Sequence, residues 1–232
     1  MALFERKADA ENVTGDAATR ALSVAAVEND FVEAVYDKLA IVYDLTFGPT
    51  LHPGRLQAIE RMNIQPGERV LEVGVGTGIN LPLYPREAQV TGIDFTPSML
   101  EKARERAARK DAAPVRLLQM DAADLKFAEA AFDIVYAPYL ISVAPDPVQV
   151  AREMRRVCRP GGRIIFLNHF LSPNGFLSRI ERLISPATIH IGFKSDLDLP
   201  AFLAQADLKP VSIEKVNWPK IWSLVTCVKS EQ

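Results

Sequence analysis

Val70-Leu71-Glu72-Val73-Gly74-Val75-Gly76-Thr77-Gly78 decides the fold: a short apolar run passes directly into three glycines separated by single residues. A run of this length and composition suits a strand covered on both faces, as in a parallel sheet between layers of helices. Glycines at its end let the chain turn tightly and let a ligand approach the backbone, because no Cβ intervenes. The dinucleotide fingerprint wants its third glycine where Ile79 stands, and that mismatch argues against a nicotinamide cofactor. Taken alone, the turn is also compatible with a plain tight connection.

Outward from this turn, β-rich runs at 89–93, 115–120, 132–136 and 163–167 alternate with helical stretches, the signature of a doubly wound α/β sheet. Asp94 closes the second run and Asp121 the third, both at the carboxyl edge where open α/β folds bind ligands. A carboxylate at Asp94 can accept both hydroxyls of a ribose, and one at Asp121 an adenine amino hydrogen; either can instead be a helix N-cap. Runs at 211–216 and 222–228, close together across Trp218-Pro219-Lys220, predict a hairpin that adds an antiparallel pair at the edge. The expected architecture is a Rossmann-like, doubly wound, seven-stranded sheet, mostly parallel, beneath an N-terminal helical lid. Residues 1–18 read as a polar arm, 19–63 as helices and 64–232 as the core. In the helical part, Val24, Val27, Phe31, Val35, Leu39 and Val42 form one stripe, and a second helix is expected over 53–63 with Leu56, Ile59 and Met62 on one side.

With 48% hydrophobic and 24% charged residues in 232, the chain is an ordinary globular one, and its net charge of -2 supplies no field for nucleic acid. Two widely separated cysteines, Cys158 and Cys227, read as buried reduced thiols, and three histidines with no ligand-spaced pair give no metal site. The N-terminus lacks the apolar core of a leader, and no run approaches the roughly 20 apolar residues of a spanning helix, so a cytoplasmic location is expected.

Glu72-Val73-Gly74-Val75-Gly76-Thr77-Gly78, Asp94, Asp121-Ala122 and Arg159-Pro160-Gly161-Gly162 resemble the ordered motifs of class I S-adenosylmethionine-dependent methyltransferases. The resemblance implies S-adenosylmethionine as cofactor and S-adenosylhomocysteine as product. Glu72 would help hold the methionine amino group, the glycines would pass over the methionine part, and Asp94 and Asp121 would hold ribose and adenine. By the same likeness Thr77, Asn80, Phe95 and Ala122 complete the cofactor residues.

Outside that core, Tyr36-Asp37-Lys38, Tyr43-Asp44, Leu51-His52-Pro53-Gly54-Arg55, the stretch from Tyr139 to Pro147 and Leu167-Asn168-His169-Phe170 resemble small bacterial phosphatidylethanolamine N-methyltransferases. The chain is similar to quinone C-methyltransferases too, and that alternative stays open. An amine acceptor must present a neutral nitrogen, and its methylated products are cations that aromatic faces hold. Tyr36, Tyr43 and Tyr139 suit that role, unless they are packing aromatics. His169 can accept or relay the amine's proton, unless it is only bonded to backbone. The resemblance also implies a phospholipid substrate met at the inner face of the cytoplasmic membrane, through peripheral contact. Two stretches can make that contact: the N-terminal helix, and 176–184, which sets Phe176, Ile180, Leu183 and Ile184 beside Arg179 and Arg182.

Overall fold

The computed structural model describes residues 50–109, 113–171 and 197–231. The expected stripe helix and its Tyr36 and Tyr43, and the amphipathic stretch 176–184 with Arg179 and Arg182, lie outside them.

A helix over 50–62 (α1) precedes β1 (Arg69–Val73), and a 3₁₀ turn (Leu81–Leu83) leads into β2 (Gln89–Asp94). Then follow α2 (Pro97–Ala107), β3 (Val115–Gln119), β4 (Phe132–Pro138), α3 (Pro147–Val157) and β5 (Cys158–His169). The chain closes with α4 (Leu199–Gln205), β6 (Pro210–Val216) and β7 (Trp222–Val228). The seven strands lie in the order β3-β2-β1-β4-β5-β7-β6, with β7 antiparallel to both β5 and β6. All other neighbours are parallel. This is the expected mostly parallel sheet with an antiparallel terminal hairpin.

Alternation along the strands divides the core in two. Leu71, Val73, Val135, Ala137, Ile164 and Phe166 face α3 and α4, meeting Val150, Met154 and Phe202. Val70, Ile134, Tyr136, Ile165 and Leu167 face the other way, onto Ala58 and Met62 of α1 and Leu100 and Ala103 of α2. Successive strand residues point to opposite faces, so an all-apolar strand must be covered on both. The N-terminus of α3 is set by Asp146, whose carboxylate accepts the Gln149 backbone N–H at 2.9 Å, and by Pro147 in the first turn.

Three features differ from expectation, one being the β3–β4 connection over 120–131, which is built of turns rather than a helix. No α-helix joins β1 to β2, because Pro82 and Pro85 remove backbone donors from Leu81-Pro82-Leu83-Tyr84-Pro85, and α1 covers that face instead. Arg159-Pro160-Gly161-Gly162, expected ahead of a strand, lies within β5: the Gly161 N–H donates to the Lys229 carbonyl at 2.8 Å, and the Lys229 N–H to that of Gly162 at 3.0 Å.

Cys158 and Cys227 are both buried and free, and burial pushes each thiol up to about 12, which leaves them inert packing groups. Among the described residues no helix is long and apolar enough to cross a membrane.

Candidate functional site

From β1 the sheet grows one way through β2 and β3, and from β4 the other way, so the chain direction switches between β1 and β4. A crevice opens at such a point beyond the carboxyl ends of the strands. The glycine loop leaves β1 there.

Gly74, Gly76 and Gly78 all have positive φ, at 74°, 55° and 78°. Their surroundings give them different tasks. A Cβ on Gly78 would lie 2.8 Å from Leu81 and 3.0 Å from the Ala103 backbone, so this glycine lets α2 pack on the loop. A Cβ on Gly74 would crowd Leu140 at 3.1 Å, whereas nothing lies within 4 Å of one on Gly76. The loop therefore presents open space at Gly76, the position where a ligand can run along bare backbone.

Asp94 ties this loop to the end of β2. Its Oδ2 accepts the Gly76 N–H at 2.8 Å and its Oδ1 the Thr96 N–H at 2.9 Å. Burial raises its carboxyl above the ordinary range, against the opposing pull of those N–H groups. Each oxygen keeps acceptor capacity for a further donor such as a ribose hydroxyl. Beside it Phe95 is 52% exposed, a large apolar face at the rim. Thr77 is buried and held from α2: the Arg106 guanidinium donates to its carbonyl at 2.7 Å and also to its hydroxyl.

Asp121 is exposed just past β3, and its Oδ1 accepts the Ala123 N–H at 2.8 Å. It thus caps a turn, while Ala122 packs against the core.

Beneath the loop, Glu72 is wholly buried, with Oε1 accepting from Asn80 at 2.6 Å and Oε2 from the Tyr84 hydroxyl at 2.7 Å. Arg55 of α1 joins the group by donating to the Asn80 Oδ1 at 3.1 Å. Desolvation, only partly offset by the two hydrogen bonds and by Arg55, raises the Glu72 carboxyl from 4.5 to about 7. Between those values the folded chain keeps a proton that the unfolded chain has released, so stability falls as pH rises through this window and levels off above it. Glu72→Gln removes that dependence. The expected result is that wild type loses up to roughly 3 kcal/mol relative to the variant between pH 5 and 8 in urea titrations. Parallel pH profiles for the two proteins would count against a protonated Glu72.

Tyr139, expected as a product-holding aromatic, is tied to both α1 and the terminal hairpin. Its hydroxyl donates to the Leu51 carbonyl at 3.0 Å and accepts from Asn217 at 2.9 Å, and the Arg55 guanidinium lies 4.8 Å from its ring centroid. Asn217 in turn accepts the Gly54 N–H at 2.6 Å. The residue fastens α1 to the β6–β7 hairpin, and its ring already carries a cation. His169 ends β5 at the carboxyl edge, buried and opposite Trp222 of β7.

Sequence reasoning missed Tyr84, Arg106 and Asn217, and included Arg55 only within a motif. None has a spacing signal, since each is brought in by tertiary packing.

The cradle fits the cofactor that the motifs imply: open backbone at Gly76, a carboxylate on the ribose side, an exposed ring at Phe95 and a buried polar cluster under the loop. The comparisons agree. A family model described as "Methyltransferase domain" matches residues 71–166. Over 186 residues the chain is 41% identical to a phosphatidylethanolamine N-methyltransferase of Cereibacter sphaeroides, spanning 80% of this chain and 91% of that one. It is 34% identical over 143 residues to a demethylmenaquinone methyltransferase of Listeria monocytogenes, covering 57% of this chain and 60% of the other. Among solved structures, a SAM-dependent methyltransferase of Thermotoga maritima, titled a possible histamine N-methyltransferase, superposes with a TM-score of 0.63 at 19% identity, covering 85% of this chain and 99% of that one.

Proposed function

The chain belongs to the S-adenosylmethionine-dependent methyltransferase family, and on that premise we propose that it methylates the headgroup amine of phosphatidylethanolamine, through mono- and dimethyl lipids to phosphatidylcholine. The observation that carries this reading is the 41% identity to a phosphatidylethanolamine N-methyltransferase, which spans 91% of that protein rather than the cofactor motifs alone. The lipid would be met at the inner face of the cytoplasmic membrane through peripheral contact.

When bound, S-adenosylmethionine supplies a methyl group on a sulfonium, ready for transfer to a nucleophile. The protein's part is to place that methyl and an unprotonated amine in line. Asp94 holds the Gly76 N–H, keeping the loop open for the methionine part, and offers its remaining lone pairs to the ribose. Phe95, through its exposed ring, and Asp121, through its carboxylate, would hold the adenine. His169, at the end of β5, takes the proton that the amine must lose before each methyl transfer, the last included. Tyr36 and Tyr43 would offer aromatic faces to the cationic products, and Tyr139 keeps its own face on Arg55.

Incubating the purified chain with labelled S-adenosylmethionine and liposomes containing phosphatidylethanolamine tests the proposal. Label is expected in mono-, di- and trimethylated headgroups after chromatography. Unlabelled lipid from a protein that still binds S-adenosylhomocysteine would overturn it, and would favour the second reading, a quinone acceptor, to which the demethylmenaquinone methyltransferase relative points.

A further inference from the structure

The β6–β7 hairpin ends in a tip that the core does not use. Trp222 of β7 stands opposite both His169, the last residue of β5, and Val216 of β6, so residues 217–221 extend past the carboxyl edge of the sheet, where Gly76 and Asp94 also lie. Trp218 is 85% exposed, and Pro219, Lys220 and Ile221 are exposed with it. Single apolar residues on a surface are ordinary, but four consecutive exposed residues, three of them apolar, make a patch. The tip is also braced. The Lys220 N–H donates to the Asn217 carbonyl at 2.5 Å, and the Asn217 side chain accepts the Gly54 N–H at 2.6 Å and donates to the Tyr139 hydroxyl at 2.9 Å. The indole is thus exposed on a fastened turn. The charge around it is positive: Lys215 and Lys220 are exposed, whereas Glu214, the one acid from Pro210 to Val228, accepts from Gln57 and Arg61 of α1 at 3.1 and 3.0 Å.

We infer that Trp218, Pro219, Lys220 and Ile221 form a wedge that enters the interface of an anionic bilayer and turns the crevice toward it. This rests on the phosphatidylethanolamine reading, since an acceptor that stays in the bilayer must be reached by the edge of the sheet where the methyl is presented. Tryptophan and lysine suit the headgroup layer: the indole has an apolar body and one N–H, and the lysine stem lies along apolar chains while its ammonium stays among phosphates. Binding there grows with the apolar area buried and with attraction to anionic lipid, and the tip offers both. A second copy of the chain fits less well. A stable protein interface takes roughly 800 Å² from each partner, whereas a tryptophan supplies about 150–250 Å², and one proline and one isoleucine beside it leave the total short.

Sedimentation of the purified full chain with vesicles of phosphatidylethanolamine and phosphatidylglycerol tests it, with brominated acyl chains to quench tryptophan fluorescence on contact. Wild type should bind and be quenched. Trp218→Ala should bind roughly 10- to 100-fold more weakly and lose the quenching, with Trp218→Phe recovering part of the affinity. Lys220→Gln should cost about fivefold on these vesicles, and less in high salt. Because the tip touches neither cofactor nor acceptor, Trp218→Ala should keep S-adenosylhomocysteine affinity and turnover of a monomeric short-chain phosphatidylethanolamine within about twofold. Unchanged vesicle binding by Trp218→Ala would overturn the inference. So would equal losses on vesicles and on the monomeric lipid, which would place Trp218 in the acceptor pocket. A dimer that falls to monomer on the same substitution, in analytical ultracentrifugation, would overturn it in favour of a second copy. The vesicle readout needs no methylation. Trp218-dependent binding without labelled lipid would therefore support the wedge while overturning the acceptor, and lipid labelled equally by wild type and Trp218→Ala would do the reverse.

Discussion

Gly76→Val abolishes cofactor binding in a chain that still folds. The backbone at Gly76 has φ 55° and nothing within 4 Å of the position a Cβ would take, so the cost to the folded state is confined to left-handed strain, roughly 1–2 kcal/mol. The valine methyl groups project into the open space along the loop, where the methionine part of the cofactor would run. Excluding it should lower affinity by more than about 100-fold. Gly78→Val makes the contrast, because its Cβ would meet Leu81 at 2.8 Å and the Ala103 backbone at 3.0 Å. There strain and overpacking together come to about 2–5 kcal/mol, and the loss should be one of stability first. Calorimetric titration with S-adenosylhomocysteine, alongside thermal unfolding of both variants, separates the two glycines. Should Gly76→Val unfold as Gly78→Val does, the first glycine would be structural and the open space no binding track.

Asp94→Ala is expected to lower cofactor affinity by about 30- to 1000-fold, from the loss of two charge-assisted hydrogen bonds to ribose hydroxyls. The structure adds a second effect. The variant also releases the Gly76 and Thr96 N–H groups, which the carboxylate accepts at 2.8 and 2.9 Å, so the loop loses its tie to β2. Removing a carboxylate that burial destabilises offsets part of that stability loss. Global stability should therefore move by no more than about 1–2 kcal/mol, far less than the affinity does. Asp94→Asn, which keeps an acceptor oxygen but turns an N–H₂ toward one backbone donor, should fall between wild type and alanine. Affinity that survives Asp94→Ala would remove this residue from the ribose.

Legibility in the sequence followed the range of each interaction. The strands could be read because a buried parallel strand writes its environment into a short unbroken apolar run, and the glycines and Asp94 because the turn that needs them follows the strand directly. Readings that depended on partners distant in sequence went less far. The Arg106 grip on Thr77 spans 29 residues, the Tyr139–Asn217 bond 78 and the Gly54–Asn217 bond 163, and no local pattern encodes such pairings. For that reason the bonds of Tyr139 to Leu51 and Asn217 had no signal in the sequence.

The amino-acid sequence by itself determined the layered sheet, its terminal hairpin and the glycine loop after β1, since these rest on periodicity and on backbone conformations open mainly to glycine. Only the tertiary structure decided which glycine packs and which stays open, that α1 rather than a helix after β1 covers one face, and that Glu72, Asn80, Tyr84 and Arg55 form one hydrogen-bonded group. Those outcomes depend on which side chains share a desolvated space, and that is set when the sheet closes its crevice at the switch between β1 and β4.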